Sequence, residues 1–276
     1  MSTYRSKRKS PGRVERAQWS IAFIICVCAL CFIAAAPAVT AAEKKTEIPF
    51  AEAGLFIELN NTDGDLGIHA LIDGKPWKRL TLESPGKQDL LNIFVRSRLR
   101  RQGLAEVALE SAEPAFDELA PAQFFRRFPQ GEYHIKGITI DGQEMLSVAV
   151  LKHLLPAPPE GISANGANLP EGCRDKPVTV APDGQGRVVI AWLPVTHSHP
   201  NLGITNEPIV VEQYMVVVEE VELGLIISQD LPPNVTQVTL PSDFLGLGKQ
   251  FKLEILVKEG NGNKTAVETC FAIETP

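Results

Sequence analysis

The chain has 276 residues, 44% of them hydrophobic, with 27 basic and 33 acidic side chains and a net charge of −6. Excision of residues 1–42 removes six Lys/Arg and one Glu and leaves a net charge of −11. A surface of that sign disfavours polyanions, so nucleic acid is not an expected partner.

Residues 1–42 read as an export signal. Arg5, Lys7, Arg8, Lys9, Arg13 and Arg16 form a basic start, Ile21 to Ala36 is an uncharged apolar run, and small residues follow at Ala38 to Ala42. That order predicts cleavage near Ala41 or Ala42 and a secreted or periplasmic bacterial protein. The rival is an uncleaved anchor, because no charge interrupts 17–42, a length that spans a bilayer. Any membrane contact is then expected only through this segment. Cys26, Cys28 and Cys31 read as small hydrophobes. Leu30, not a small residue, precedes Cys31, which excludes lipid attachment there.

The remaining length suits one large domain or two ordinary ones. Leu154-Leu-Pro156-Ala-Pro158-Pro159 is the natural break, since prolines end any element and stiffen a short linker. The predicted domains are 43–155 and 156–276. No internal repeat of solenoid period is present.

In the first domain, Leu55–Leu59, Leu66–Ile72, Leu80–Leu82, Leu90–Arg96 and Ala105–Leu109 read as short strands. Asn60 to Gly64 and Asp73-Gly74 supply turn chemistry between them. Gly131–Ile140 and Met145–Leu151 read as a terminal hairpin about Asp141-Gly142. Six or more short strands at this spacing predict a β-sandwich. One short helix is expected: Pro121 suits a first helical position, Leu119 and Phe124 are placed as a hydrophobic staple, and Pro129 ends it. Its Phe124 and Phe128 share one face and are expected to plug the sandwich.

Several constellations carry candidate chemistry. Asn61, Asp63 and Asp65 place oxygens at alternate positions, as calcium loops do. The sixth and twelfth places counted from Asn61 hold Leu66 and Ile72, so this is no EF-hand; an Asx-rich turn or a partial calcium site remains. His197-Ser-His199 offers two imidazoles, but zinc requires a third ligand and none is near. The arginines of 96–101 alternate, so in a strand they would share a face and could grip an anionic glycan or lipid headgroup, or be solvated beside Glu106, Glu110 and Glu113. No nucleophile elbow, zinc-binding His-Glu-x-x-His or phosphate loop occurs. No enzyme activity and no cofactor are expected.

In the second domain, Val188, Ile190 and Trp192 alternate, then Tyr214, Val216 and Val218, then Phe251, Leu253, Ile255 and Val257. Period-2 runs with large aromatics on the inner side are what a two-sheet sandwich needs at its centre. Trp192, Tyr214 and Phe251 are the predicted core anchors. Trp192 with Pro194, Val211-x-x-Tyr214-x-Val216, Leu245 six residues before Phe251, and the proline-rich entry together resemble a fibronectin type III domain. The resemblance implies an immunoglobulin-like sandwich of about 120 residues. Phe251 lacks a hydroxyl, so the tyrosine-corner hydrogen bond cannot form there. No Arg-Gly-Asp occurs, so the family's best-known adhesion role does not carry over.

The fold class expected is thus all-β, two tandem immunoglobulin-like β-sandwiches behind a signal peptide. Cys173 and Cys270 are the only cysteines outside the signal, and an even count in an oxidising compartment favours a disulfide. Fold analogy suggests a cell-envelope binding or adaptor protein, its type III-like domain serving as spacer or interaction module, whose partner is an envelope protein or glycan. The alternatives are a carbohydrate-binding accessory protein using aromatics such as Trp77, and a hydrolase with its site in the first domain. Asn60, Asn234 and Asn263 begin Asn-x-Thr sequons, which a bacterial envelope protein is expected to leave bare.

Overall fold

The computed structural model describes residues 46–173 and 176–274. The expected signal, 1–42, lies outside them. Among the described residues no helix is long and apolar enough to cross a membrane. Among the described residues the architecture is all-β, with three short helices.

The first half is organised by one strand. β1 (Glu52–Asn60) turns at Asn60–Gly64 into β2 (Asp65–Glu83), which runs 19 residues. The sequence suggests a stop at Asp73-Gly74, but the strand continues. Gly74 does not make a turn: a Cβ there would lie 2.7 Å from the Met145 side chain and 3.1 Å from Phe50, so glycine serves close packing. Buried positions along β2 run Leu66, Ile68, Ala70, Ile72, then shift by one to Trp77 before resuming at Leu80 and Leu82. Pairing irregularities on both sides of Trp77 account for the shift. The extra residues let one strand serve two sets of neighbours.

The first stretch of β2 pairs with β1 and with β4 (Leu104–Glu110). Its second pairs with β3 (Asp89–Phe94) and β5 (Gly131–Thr139), which carries β6 (Glu144–Leu151) at its edge. Between β3 and β4 lies α1 (Ser97–Gln102), just past the strand expected over Leu90–Arg96. Ser97 at φ 53° breaks the extended chain and Gly103 at φ 83° ends the turn, so the arginines sit on a helical arch rather than on one strand face. The first half therefore has two short helices, not one. The second is α2 (Pro121–Arg127), which buries Phe124 in the same core as Leu119 and Trp77.

The second half is a two-sheet sandwich. β7 (Ser163–Ala164), β8 (Ala167–Asn168), β10 (Val188–Ala191) and β13 (Gln237–Leu240) form one sheet. The facing strands are β11 (Val211–Glu220), β12 (Leu225–Leu231), β14 (Gln250–Glu259) and β15 (Lys264–Ile273), with short β9 (Val178–Val180) parallel to β15. The helix α3 (Ser242–Leu245) closes one end with Phe244 and Leu245. Val188, Ile190 and Trp192 face Tyr214, Val216, Val218, Phe251, Leu253 and Ile255 across the core, as the alternation requires.

Apolar residues divide into two clusters. One ends at Leu155 and the other begins at Ile162. The backbone does not divide there: β15 pairs with β1 in parallel, Glu58 opposite Lys264 to Asn60 opposite Ala266, making one eleven-stranded sheet. The proline segment is no free spacer, because Leu155, Pro156 and Pro159 are buried and the Ala157 N–H donates to His197 O.

Candidate functional site

The junction between the halves is built from specific polar contacts. Asn263 is 1% exposed. Its Oδ1 accepts from the Ile57 N–H at 2.8 Å, and its Nδ2 donates to Lys152 O at 2.8 Å and Leu154 O at 2.9 Å. The side-chain amide thus extends the parallel ladder one step past the backbone pairing. The buried Thr265 hydroxyl donates to Pro156 O at 2.8 Å. On the far side of the pairing, Glu171 Oε1 accepts from Asn61 Nδ2 at 2.9 Å and from Thr62 Oγ1 at 3.0 Å. Glu171 is held two residues before Cys173, which is bonded to Cys270 of β15 with Cα atoms 4.9 Å apart.

Because the sheet runs through the junction, its outer face is continuous from β12 to β2. On that face a cavity of about 320 Å³ is lined by Phe56 and Leu71 from the first half and by Gln213, Met215, Leu256 and Lys258 from the second, with Lys264 between. Lys264 bridges the halves: its Nζ lies 3.1 Å from Glu58 and 4.6 Å above the Phe56 ring. His69 stacks on the other flank of Phe56, centroids 5.4 Å apart, and bonds Glu113 at 2.9 Å. Gly67, opposite Glu58, is what lets Glu113 reach across; a Cβ there would overlap its carboxylate.

Beside the groove is a carboxylate row. Glu254 lies directly opposite Glu268, which pairs with Lys252 at 2.7 Å. Burial first, then the charges of Glu268 and Glu58, push the Glu254 carboxyl up to about 7. Asp65 is pushed up to about 6 by burial and by Glu113 and Asp63. One of its carboxylate oxygens is buried without a partner. These groups come from β1, β2, β14, β15 and the segment after β4, so no local motif announces them.

The residues singled out from sequence fall in different places. Asn61 faces Glu171 and His199, and Asp63 stays at Asn60, whose Oδ1 also accepts the Thr62 and Asp63 N–H groups as an Asx turn does. Among the described residues no group of three His, Cys, Asp or Glu is arranged to hold a metal ion. His197 and His199 diverge. His197 is exposed beside Thr196, whereas His199 is 6% exposed. Its Nδ1 accepts the Asn201 and Leu202 N–H groups, which leaves the proton on Nε2 to donate to Asn61 Oδ1 at 3.2 Å, and burial pushes its pKa down.

Trp77 is fully buried and donates its indole N–H to Ala105 O at 3.2 Å, so it presents nothing to a glycan. Trp192, Tyr214 and Phe251 are all buried. Trp192 packs edge-on to Tyr214 at 5.4 Å, and the Tyr214 hydroxyl accepts the Val195 N–H at 2.9 Å. Phe251 stacks on Phe271 at 5.3 Å.

No protein-family profile and no curated protein matches the chain. Among solved structures it is similar to the FN1–FN3 domains of chicken CNTN1, at 9% identity and TM-score 0.32, covering 83% of this chain and 65% of that one. A two-domain fibronectin type III segment of chicken tenascin is similar at 12% identity and TM-score 0.28, over 80% and 98%. The Clostridium perfringens spore cortex lytic enzyme SleM is similar at 16% identity and TM-score 0.26, but the chain spans only 28% of its length. At such scores the likenesses carry no argument about activity or ligand, and the fold stands on the pairing described above.

Proposed function

We propose that the chain is an exported, non-catalytic binding protein of the cell envelope, in which the outer sheet face at the junction holds the partner. The observation that carries this reading is the groove itself. Its walls come from both halves, it has an apolar floor of Phe56, Leu71, Met215 and Leu256, and polar groups of Gln213, Asp230, Lys258 and Asn261 rim it. An apolar cleft with a few placed polar groups is the usual form of a ligand site. The two halves then serve as one platform, not as a head on a spacer. The test is photo-crosslinking in intact cells from a benzoylphenylalanine at position 215, with position 148 on exposed β6 as control. A discrete adduct from 215 alone supports the groove; identical adducts from both positions overturn it.

A hydrolase is the second reading, favoured by Glu254, held near neutrality beside Glu268 and Glu58 as a general acid would be. A panel of chromogenic glycosides and esters decides it: turnover lost on Glu254→Gln would replace the binding reading.

A further inference from the structure

The β3–β4 arch is chemically unlike the rest of the molecule. Every residue from Arg96 to Gln102 is exposed. Among the described residues none of Arg96, Arg98, Arg100 and Arg101 makes an ion pair, in a chain whose acidic residues outnumber its basic ones. Two carboxylates of this half are engaged elsewhere, Glu113 with His69 and Glu83 with Lys136. Two large apolar side chains stand out within the same arch, Phe94 at 55% and Leu99 at 49% exposure. Arg79 lies over the Phe94 ring at 4.9 Å.

We propose that the arch, with Phe94 and Leu99 as apolar contacts and Arg96, Arg98, Arg100 and Arg101 as the cationic rim, docks on an anionic phospholipid bilayer. Arginines around an exposed aromatic and a leucine match an interface that is apolar below and anionic above. A protein partner would leave four unneutralised charges to be matched one by one; a lipid surface supplies mobile anions. This docking is independent of the junction groove.

Residues 44–276 form one compact unit. That segment is sedimented with vesicles of phosphatidylcholine alone and of phosphatidylcholine with phosphatidylglycerol. Binding is expected only to the second and to fall as salt rises. The triple variant Arg98→Ser, Arg100→Ser, Arg101→Ser should bind roughly tenfold more weakly or worse, since each lost arginine removes a share of the surface attraction. Phe94→Ser should weaken binding without removing its salt dependence. Arg126→Ser with Arg127→Ser, exposed on α2, is the control and should bind as the parent does; thermal melts confirm that each variant is folded. Equal partition onto both vesicles, or equal loss in the α2 control, overturns the proposal. So does full competition by millimolar inorganic phosphate, which would reveal a free-anion site.

Discussion

Replacing Asn263 with alanine should separate the two halves energetically. The side chain makes three bonds to backbone groups of the first half and its exit, at 2.8, 2.8 and 2.9 Å. Alanine leaves the Ile57 N–H buried with no acceptor and two carbonyls short of a donor. A buried donor left unpaired costs about 1–3 kcal/mol, whereas the carbonyls of Lys152 and Leu154 lie nearer solvent and are recovered in part by water. The expected loss is roughly 2–4 kcal/mol. The assay is urea unfolding of residues 44–276, which contain two tryptophans, Trp77 in one core and Trp192 in the other. Trp77→Phe and Trp192→Phe backgrounds let each half report alone. In the parent the two transitions should coincide; in Asn263→Ala they should part. Asn263→Asp keeps the acceptor for Ile57 and loses the donors, so it should fall between. A loss below about 0.5 kcal/mol with coincident transitions would show that the sheet pairing alone couples the halves, and would refute the reasoning.

Stability should rise as pH falls from about 8 to about 5. Glu254 and Asp65 are pushed up to about 7 and about 6, so the folded state holds protons the unfolded chain has released, and thermal midpoints should be higher at pH 5. Glu254→Gln should stabilise the fold at pH 8 by on the order of 1–2 kcal/mol after solvent screening, and flatten the pH dependence. Trp192→Ala should cost about 3–5 kcal/mol by removing a buried large aromatic, read by chemical denaturation. Reduction of Cys173–Cys270, which closes a separation of 97 residues, should cost up to about 4–5 kcal/mol by chain entropy and speed amide exchange at Gly172, whose N–H donates to Glu268 O beside the bridge. Residues 155–276 alone should melt cooperatively on their own core, at a lower midpoint than the longer chain, since β15 loses its parallel neighbour; a non-cooperative melt would place both halves in one folding unit.

Strand positions were legible wherever one face is buried. The alternation at Val188–Trp192, Tyr214–Val218 and Phe251–Val257 matches the observed core, because period-2 burial writes itself into the sequence. Three features were not legible, each for a physical reason. Asp73-Gly74 carries turn residues, yet the glycine is used for the approach of Met145. The alternating arginines fit a strand until Ser97 takes a positive φ, which no periodicity reveals. The junction face draws Phe56, Glu58, His69 and Glu113 against Glu254, Lys264 and Glu268, with Glu58 lying 206 residues from its partner Lys264, and strand by strand their polarity looks like ordinary solvent-facing alternation.

The joining of the halves also accounts for the chemistry of that face. A sandwich that ended at β15 would present an unpaired edge, a template for unwanted pairing. Here β1 covers the edge for three residues, Asn263 and Glu171 hold it through side chains where the ladder stops, and Thr265 within the ladder ties in Pro156. Pairing two sheets edge to edge brings two outward faces into one concave surface. Groups that would be solvated on either sheet alone, such as Glu254 and Leu256, become half or fully buried there. A share of the rise in the Glu254 carboxyl thus comes from the junction, through burial and the Glu58 charge of the first half, while Glu268 is its neighbour within the second half's own sheet. A variant that opens the junction should return that carboxyl toward its ordinary range, and carbon-13 titration of Glu254 in Asn263→Ala would show it.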